Sequence, residues 1–398
     1  MAHIEKRGNS YRIRASAGFR VDGRRVQPSM VWTPEPGMTA RQIEKELNRQ
    51  AVLFEEQCQG MAENSGHIKF GIFVEQYMTE YAKADLRHKT VSGYESLKGR
   101  IVEEFGHLYL DKITPRQIKA FIAKLGQPGA NMVTGKPLSP KTRVNYLSFL
   151  SSIFSYAVDM EMIPSNPCTN IKGPKKEKTT KHTKEWYTIE EAAALLSSMQ
   201  ADAPLKYLAF FTLAIFCGYR REELLGFEWS DIDFQNRLIS VNRASLHTKE
   251  HGIYTDVPKT ESSRRVLKQP QIVFDVLRRL RAEQAAVRLS IGDQWKGSNR
   301  LFTTADGAPM HPNTPYTWLR RYCESHGHRF LGIHAFRHLN AAILINTGAD
   351  AQTVAANLGH SQVSTTLNIY AYEFAEAKAA ASQAVADKIL PKLTSKAQ

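Results

Sequence analysis

The chain has 398 residues, 42% of them hydrophobic, a length that predicts two or three domains with ordinary packed cores. Its 53 Lys and Arg against 39 Asp and Glu leave a formal net charge of +14, which points to a polyanionic partner: nucleic acid, or failing that a ribosomal or membrane surface. No run of about eighteen apolar residues predicts a membrane span, and the opening MAHIEKRGNSYRIR lacks the apolar core of a secretory signal. Cys58, Cys168, Cys217 and Cys323 lie far apart, which predicts neither a disulfide framework nor a zinc knuckle and fits a reducing cytoplasm.

The first segment, 1–64, reads as a small three-stranded sheet followed by a helix. Along Tyr11–Ala15 the residues alternate, so Tyr11, Ile13 and Ala15 share one face and Arg12 and Arg14 the other. Asp22-Gly23 is a hairpin-turn signal and Met30–Trp32 a further strand. Thr39 with Gln42 predicts a capped helix whose Ile43, Leu47 and Phe54 cover the sheet. Arg12, Arg14, Arg20, Arg24 and Arg25 are then left for the exposed side, either as DNA contacts or as a solvated basic face.

The second segment, 65–172, is helical by pattern. Ile72, Phe73, Gln76, Tyr77 and Tyr81 have helical spacing, and a helix is expected over Thr90–Phe105. Thr114-Pro115 and Ser139-Pro140 each open another, with proline at the first helical position. Lys89, Lys119, Lys136, Lys141 and Arg143 are candidate phosphate contacts or plain solvated cations. The stretch 173–185, which includes Lys175 and Lys176, is polar, basic and without periodicity, and reads as a linker that either follows a duplex backbone or simply tethers.

The third segment, 186–398, mixes helices with short strands. Thr188 with Glu191 caps a helix running through Leu196, and Leu205–Cys217 is apolar enough for a buried one. Strands are expected at Leu238–Val241, Gly252–Val257 and Arg264–Leu267. Helices are expected over His334–Thr347, Asp350–Asn357 and Val363–Tyr370, and in an Ala-rich tail, 374–390. The whole is a multidomain, mainly α fold with small β-sheets.

Four clusters in this segment carry chemistry. In Gly218-Tyr219-Arg220-Arg221-Glu222-Glu223, a cation follows a buried helix, and Glu223 can brace Arg220 from three residues on. Lys259 stands between two strands. His334, Arg337 and His338 share one helical face. Two histidines four apart suit zinc in principle, but Ala335 stands where a metalloprotease helix needs its glutamate, and no third ligand is evident. The fourth cluster runs from Gly359-His360 to Tyr370. A phosphodiester under attack gains charge on its non-bridging oxygens, and two guanidinium forks, Arg220 and Arg337, can hold them without a metal.

The set Arg220, Lys259, His334, Arg337, His360 and Tyr370 resembles the active site of the tyrosine recombinases, which include lambda-type phage integrases and those of conjugative transposons. GYRREELLGFEWSDID resembles the family's first box and LGHSQVSTTLNIYAY the box with the nucleophile. SPKTRVNYLSFLSSIFSYAV resembles the helical core-site-binding domain, and the N-terminal sheet and helix resemble an arm-site-binding domain. Members often carry a histidine two residues after the nucleophile, where this chain has Tyr372, a minor competitor for that role, as Arg221 is for Arg220. His338 is expected to pack or support rather than to catalyse.

The resemblance implies that Tyr370 attacks the scissile phosphate to give a 3′-phosphotyrosine and a free 5′-hydroxyl. His334 would be the base, Lys259 the acid, Arg220, Arg337 and His360 the stabilisers of the transition state, and Glu223 the brace of Arg220. It implies an enzyme without cofactor, metal or ATP that works as a homotetramer on core and arm sites of double-stranded DNA, in the bacterial cytoplasm on the nucleoid. DNA-bending and excision proteins are expected helpers. The tail docks either on its own domain or on a neighbour. A type IB topoisomerase, which religates the same strand, a non-catalytic DNA-binding regulator and a metal-dependent nuclease are the competing readings.

Overall fold

The computed structural model describes residues 3–15, 27–35, 37–62, 67–174, 186–256 and 264–394. The Asp22-Gly23 turn, Arg20, Arg24, Arg25, Lys175, Lys176 and Lys259 lie outside the described residues, as does most of the expected linker. The chain divides into two compact units, Met1–Lys181 and His182–Gln398. No helix among the described residues is long and apolar enough to cross a membrane.

In the first unit, β1 (His3–Arg7), β2 (Ser10–Arg14) and β3 (Ser29–Trp32) form an antiparallel sheet in that order. Ile4 faces Ile13, and Ile13 faces Met30. The first strand is one the sequence reading did not single out, because HIEKR has a single aliphatic residue to mark it. Ile13 is fully buried under Leu47 and Ala51 of α1 (Ala40–Ala62), with Phe54 packed at the edge. The side chain of Gln42 accepts from Thr39 N at 2.9 Å, which ties down the start of α1.

The helical part runs through α2 (Phe70–Gln76), a π-helical turn at Tyr77–Ala82, α3 (Lys83–Asp85), α4 (His88–Phe105), α5 (Pro115–Lys124) and α6 (Pro140–Asp159). Local chemistry sets its boundaries. Gln117 N donates to Thr114 Oγ1 and Thr114 N to Gln117 Oε1, and Thr142 N donates to Ser139 Oγ, each cap followed by proline. Phe70, Phe73, Tyr77, Phe105, Phe121, Phe149 and Phe154 fill the core. Ile72, on the expected stripe, is instead 55% exposed.

The second unit begins with α7 (Ile189–Asp202), capped reciprocally by Thr188 and Glu191. Next comes the buried α8 (Leu205–Cys217), against which α10 (Gln271–Ile291) and α12 (His334–Asn346) pack. Between them lie α9 (Arg221–Gly226), a three-stranded antiparallel sheet of β4 (Ile232–Asp233), β5 (Leu238–Val241) and β8 (Arg265–Lys268), and a hairpin of β6 (Ala244–Thr248) and β7 (Gly252–Asp256). Helices α11 (Thr314–His326), α13 (Ala351–Leu358), α14 (Val363–Ile369) and α15 (Ala371–Thr394) complete the unit. A large core built on Phe210, Phe211, Leu213, Phe302 and Phe336 is joined by a smaller cluster of Ala341, Ile345, Val354, Leu358 and Tyr370.

Candidate active site

The site is organised on the C-terminal end of α13. The last carbonyls of a helix have no partners inside it and form the negative end of its dipole. Here three consecutive carbonyls each take a guanidinium: Arg265 Nε donates to Asn357 O at 2.9 Å, Arg337 Nη2 to Leu358 O at 2.5 Å, and Arg220 Nη2 to Gly359 O at 2.8 Å. Gly359 ends the helix at φ +65, where a Cβ would stand 2.6 Å from Arg265 Nη1. Glycine therefore serves here both for conformation and for the room the cation needs. His360 N then donates back to Ala355 O at 2.9 Å, which fixes the residue that follows.

Each arginine has a second anchor. Arg337, 2% exposed, also donates to Gly218 O at 2.9 Å, the left-handed cap of α8. Arg220 pairs with Glu223 Oε1 at 2.7 Å, and Arg265 with Glu223 Oε2 at 2.9 Å, so one buried carboxylate braces two cations. Burial alone would raise the Glu223 carboxyl; Arg265 and Arg220 outweigh it and hold the group below its usual range. Burial, then the neighbouring Arg220, lower Arg337 to about 9, which leaves it cationic at neutral pH. The two anchors leave the rest of each five-donor fork, on Arg220 and on Arg337, for a ligand.

His334 heads α12 with more than a third of its surface exposed; burial of the remainder, then Arg337 and Arg220, lower its pKa. His360 is held down to about 4 by burial, then by Arg337, Arg220 and Arg265, so both rings are neutral at pH 7. Thr366, fully buried, bonds His360 Nδ1 through Oγ1 at 2.8 Å, which leaves Nε2 for a ligand.

Tyr370 lies between α14 and α15 and is 1% exposed. Burial pushes its phenol up to about 12; Arg337 pulls against that shift and the buried Glu373 adds to it. The hydroxyl meets His338 Nδ1 at 2.8 Å, and Trp186 lies against both rings. The expected base, His334, is instead edge-on to His338 with ring centroids 4.8 Å apart.

The structure thus brings together Arg220, Glu223, His334, Arg337, His360 and Tyr370. Arg221, the weaker alternative to Arg220, is turned to Glu222 and Asn313, and Tyr372 is 68% exposed. Sequence reasoning missed Arg265 and Thr366 and gave His338 a packing or supporting role; the i, i+4 spacing of His334 and His338 was the one available signal. Among the other expected DNA contacts, Arg12 donates to Ser29 Oγ at 3.1 Å and Arg14 pairs with Glu5 at 3.3 Å. Lys89 and Lys141 are exposed in the first turns of α4 and α6, whereas Arg143 is half-buried, with no hydrogen-bond partner on Nε.

Comparison with known proteins matches residues 185–376 to the phage integrase family and 69–173 to the phage integrase SAM-like domain. The chain belongs to the phage integrase family of tyrosine recombinases. The recombinase is 27% identical over 367 residues to the ICEBs1 integrase of Bacillus subtilis, covering 91% of this chain and 93% of that one. It is 26% identical over 337 residues to a XerC-like tyrosine recombinase of Caldanaerobacter subterraneus, covering 80% and 83%. Among solved structures, the Tn1549 transposon integrase in complex with transposon right end DNA superposes with a TM-score of 0.62 at 25% identity, over 77% of the recombinase and 96% of that chain. A lambda integrase tetramer bound to a Holliday junction shares the fold, with a TM-score of 0.51 at 17% identity over 91% of the recombinase and 96% of that chain. The recombinase is accordingly a site-specific DNA strand-transfer enzyme, mainly helical with small sheets.

Proposed function

We propose that this recombinase integrates or excises a mobile element by cutting and rejoining DNA through Tyr370. The Tyr370 oxygen attacks the scissile phosphate as its proton passes to a histidine of α12, a 3′-phosphotyrosyl bond forms, and the 5′-oxygen leaves with a proton from Lys259. A 5′-hydroxyl of the partner strand reverses the step, so the phosphodiester energy is conserved. Arg220, Arg337 and the neutral ring of His360 stabilise the charge that builds on the non-bridging oxygens, and Glu223 holds Arg220 in place. The observation that carries this reading is the fixing of Arg220 and Arg337 on adjacent carbonyls, with Arg337 close enough to act on the Tyr370 phenol. Cations already held in position need no reorganisation when charge develops.

The partner is double-stranded DNA. We assign residues 65–172 to the core site, 1–64 to the arm site and 186–398 to catalysis, joined by a basic linker at 173–185. Lys89 and Lys141, exposed at helix starts, suit backbone phosphates. Arg143, Lys175 and Lys176, and Arg12, Arg14, Arg20, Arg24 and Arg25 of the N-terminal segment, complete the contact set. A homotetramer on a four-way junction follows the arrangement of the lambda integrase, with DNA-bending and excision proteins as helpers. The bacterial relatives support a cytoplasmic site of action on the nucleoid.

The test uses a nicked duplex carrying the junction sequence recovered from cells that hold the element. The wild-type chain should form a protein–DNA adduct that survives denaturation, and Tyr370→Phe should form none while retarding the duplex equally in a native gel. Adduct from Tyr370→Phe at the wild-type level removes Tyr370 from its role.

A further inference from the structure

We infer that His338, rather than His334, takes the proton of Tyr370 when the phenol attacks DNA. The inference deepens the reading above and rests on Tyr370 being the nucleophile. Of the two histidines on this face of α12, His338 is the one in contact with the reacting atom: its Nδ1 lies 2.8 Å from the phenolic oxygen. That is hydrogen-bonding distance and within the reach a general base needs. With the ring proton on Nε2, the phenol O–H donates to Nδ1.

The surroundings hold this contact. Trp186 is inclined by 30° to the His338 ring, with centroids 5.8 Å apart, and its centroid lies 6.4 Å from that of Tyr370, so both partners border one indole. His338 follows Arg337 directly, and Arg337 is anchored to Gly218 O and Leu358 O. The base therefore rides on the same helix as the phosphate-binding fork, and its position relative to that fork is set by the helix backbone.

The chemistry explains the need. A phenol buried as deeply as Tyr370 resists ionisation, with its pKa pushed up to about 12, so almost none is phenolate at neutral pH. Attack must then move the proton as the bond forms. In the step, an electron pair on Tyr370 Oη makes the bond to phosphorus and the phenolic proton passes to His338 Nδ1. The bond from phosphorus to O5′ breaks with its electron pair on oxygen, which takes the proton of Lys259. In rejoining, the 5′-hydroxyl gives its proton back to Lys259 and His338 returns its own to the phenolate. His334, edge-on to His338 and in the field of both arginines, is left to the phosphate.

The experiment measures single-turnover formation of the covalent adduct on the nicked junction duplex, by the full chain and its variants. The duplex is made once with an ordinary 5′-bridging oxygen and once with sulfur there, because a thiolate leaves without needing an acid. His338→Ala and His338→Asn should each slow adduct formation by about 100-fold or more, with native-gel binding unchanged and the same loss on the sulfur duplex. The Asn side chain puts an acceptor near the position of Nδ1 but cannot carry a proton. Lys259→Ala, by contrast, should regain its rate on sulfur.

Wild-type speed in His338→Asn reduces His338 to an orienting contact and overturns the inference. A faster rate in His338→Ala makes the contact a restraint on Tyr370, and rescue of either variant by sulfur moves His338 to the leaving group; both overturn it as well. Should His338→Ala not fold, the closely isosteric Asn variant decides alone. Adduct formation by Tyr370→Phe marks failure of the underlying reading instead, and is scored separately.

Discussion

Arg337 of the catalytic unit is 2% exposed and donates to two backbone carbonyls, whereas Arg12 of the N-terminal sheet is partly exposed and, among the described residues, donates only to the hydroxyl of Ser29. Arg220 and Arg265 resemble the first case, each fixed by a carbonyl and by Glu223; Arg14, with a partly exposed contact to Glu5, resembles the second. Burying a guanidinium costs several kcal/mol unless partners replace its water. These cations therefore sit in a network that replaces their water, and their field is already fixed before any ligand arrives. A surface ion pair contributes about 0–1 kcal/mol, so the cations of the sheet are free to turn toward a phosphate and cheap to exchange. The same side chain is held in place in one setting and left to turn in the other.

The largest expected effect comes from breaking the buried network at its single carboxylate. Glu223→Ala leaves Arg220 and Arg265 without their common anion, and loss of one partner of a buried pair typically costs about 3–5 kcal/mol. Thermal unfolding of the variant should show a fall of that size, together with loss of adduct formation. Glu223→Gln, which keeps hydrogen-bond acceptance but not the charge, should fall between it and the wild type. An unchanged melting temperature in Glu223→Ala would erase the distinction between the two kinds of arginine.

A medium effect is expected from acid, because burial, reinforced by the crowded cations, disfavours protonation of their histidine. His360 is held at about 4, while an unfolded histidine takes its proton near 6.5. Between those values the unfolded chain binds more protons than the folded one, so this group makes stability fall as pH drops from about 6.5 to about 4. Glu223, whose carboxyl is depressed, contributes stability that is present above its unfolded pKa and lost only as pH falls further, through the folded value. His326 runs the other way: its pairing with Asp202 raises its pKa, so its share is present below about 6.5 and lost as pH rises through the folded value. The clean measurement is therefore the difference between wild type and His360→Gln. The variant should gain on the wild type steadily as pH falls below 6.5, and a flat difference would mean that neither burial nor the arginines hold His360 below its unfolded value.

How much of this could be read in advance follows the range of each interaction. Thr114-Pro115, Ser139-Pro140 and Thr188 with Glu191 mark helix starts through bonds spanning three residues, and a sequence displays those. Arg220, Arg337, His360 and Tyr370 were legible because a family pattern preserves their spacing. Arg265 was not: beside Arg264 in a strand it looks like any solvated cation, and only the fold brings it 2.9 Å from a carboxylate 42 residues away. Thr366 likewise reads as one of several hydroxyls on a short helix until His360 is seen against it. Helix α10 escaped because Pro270 precedes it without a side-chain cap, even though Val273, Phe274, Leu277 and Leu280 form a buried stripe.

The smallest effect is expected at Arg12, and it tests the other side of the comparison. Among the described residues the guanidinium hydrogen-bonds Ser29 Oγ, at 3.1 and 3.3 Å, so Arg12→Ala should change unfolding free energy by no more than about 0.5 kcal/mol. Its consequence should lie in salt dependence. If the guanidinium neutralises one phosphate, binding of the full chain to duplex DNA from the element's end should lose about one unit from the slope of log K against log salt. Adduct formation on the short nicked junction, which lacks arm sequence, should stay at the wild-type rate. A fall in stability of about 2 kcal/mol would make Arg12 a structural cation after all. An unchanged salt slope would leave it a solvated charge with no DNA partner, and the contrast with Arg337 would then concern burial alone and not function.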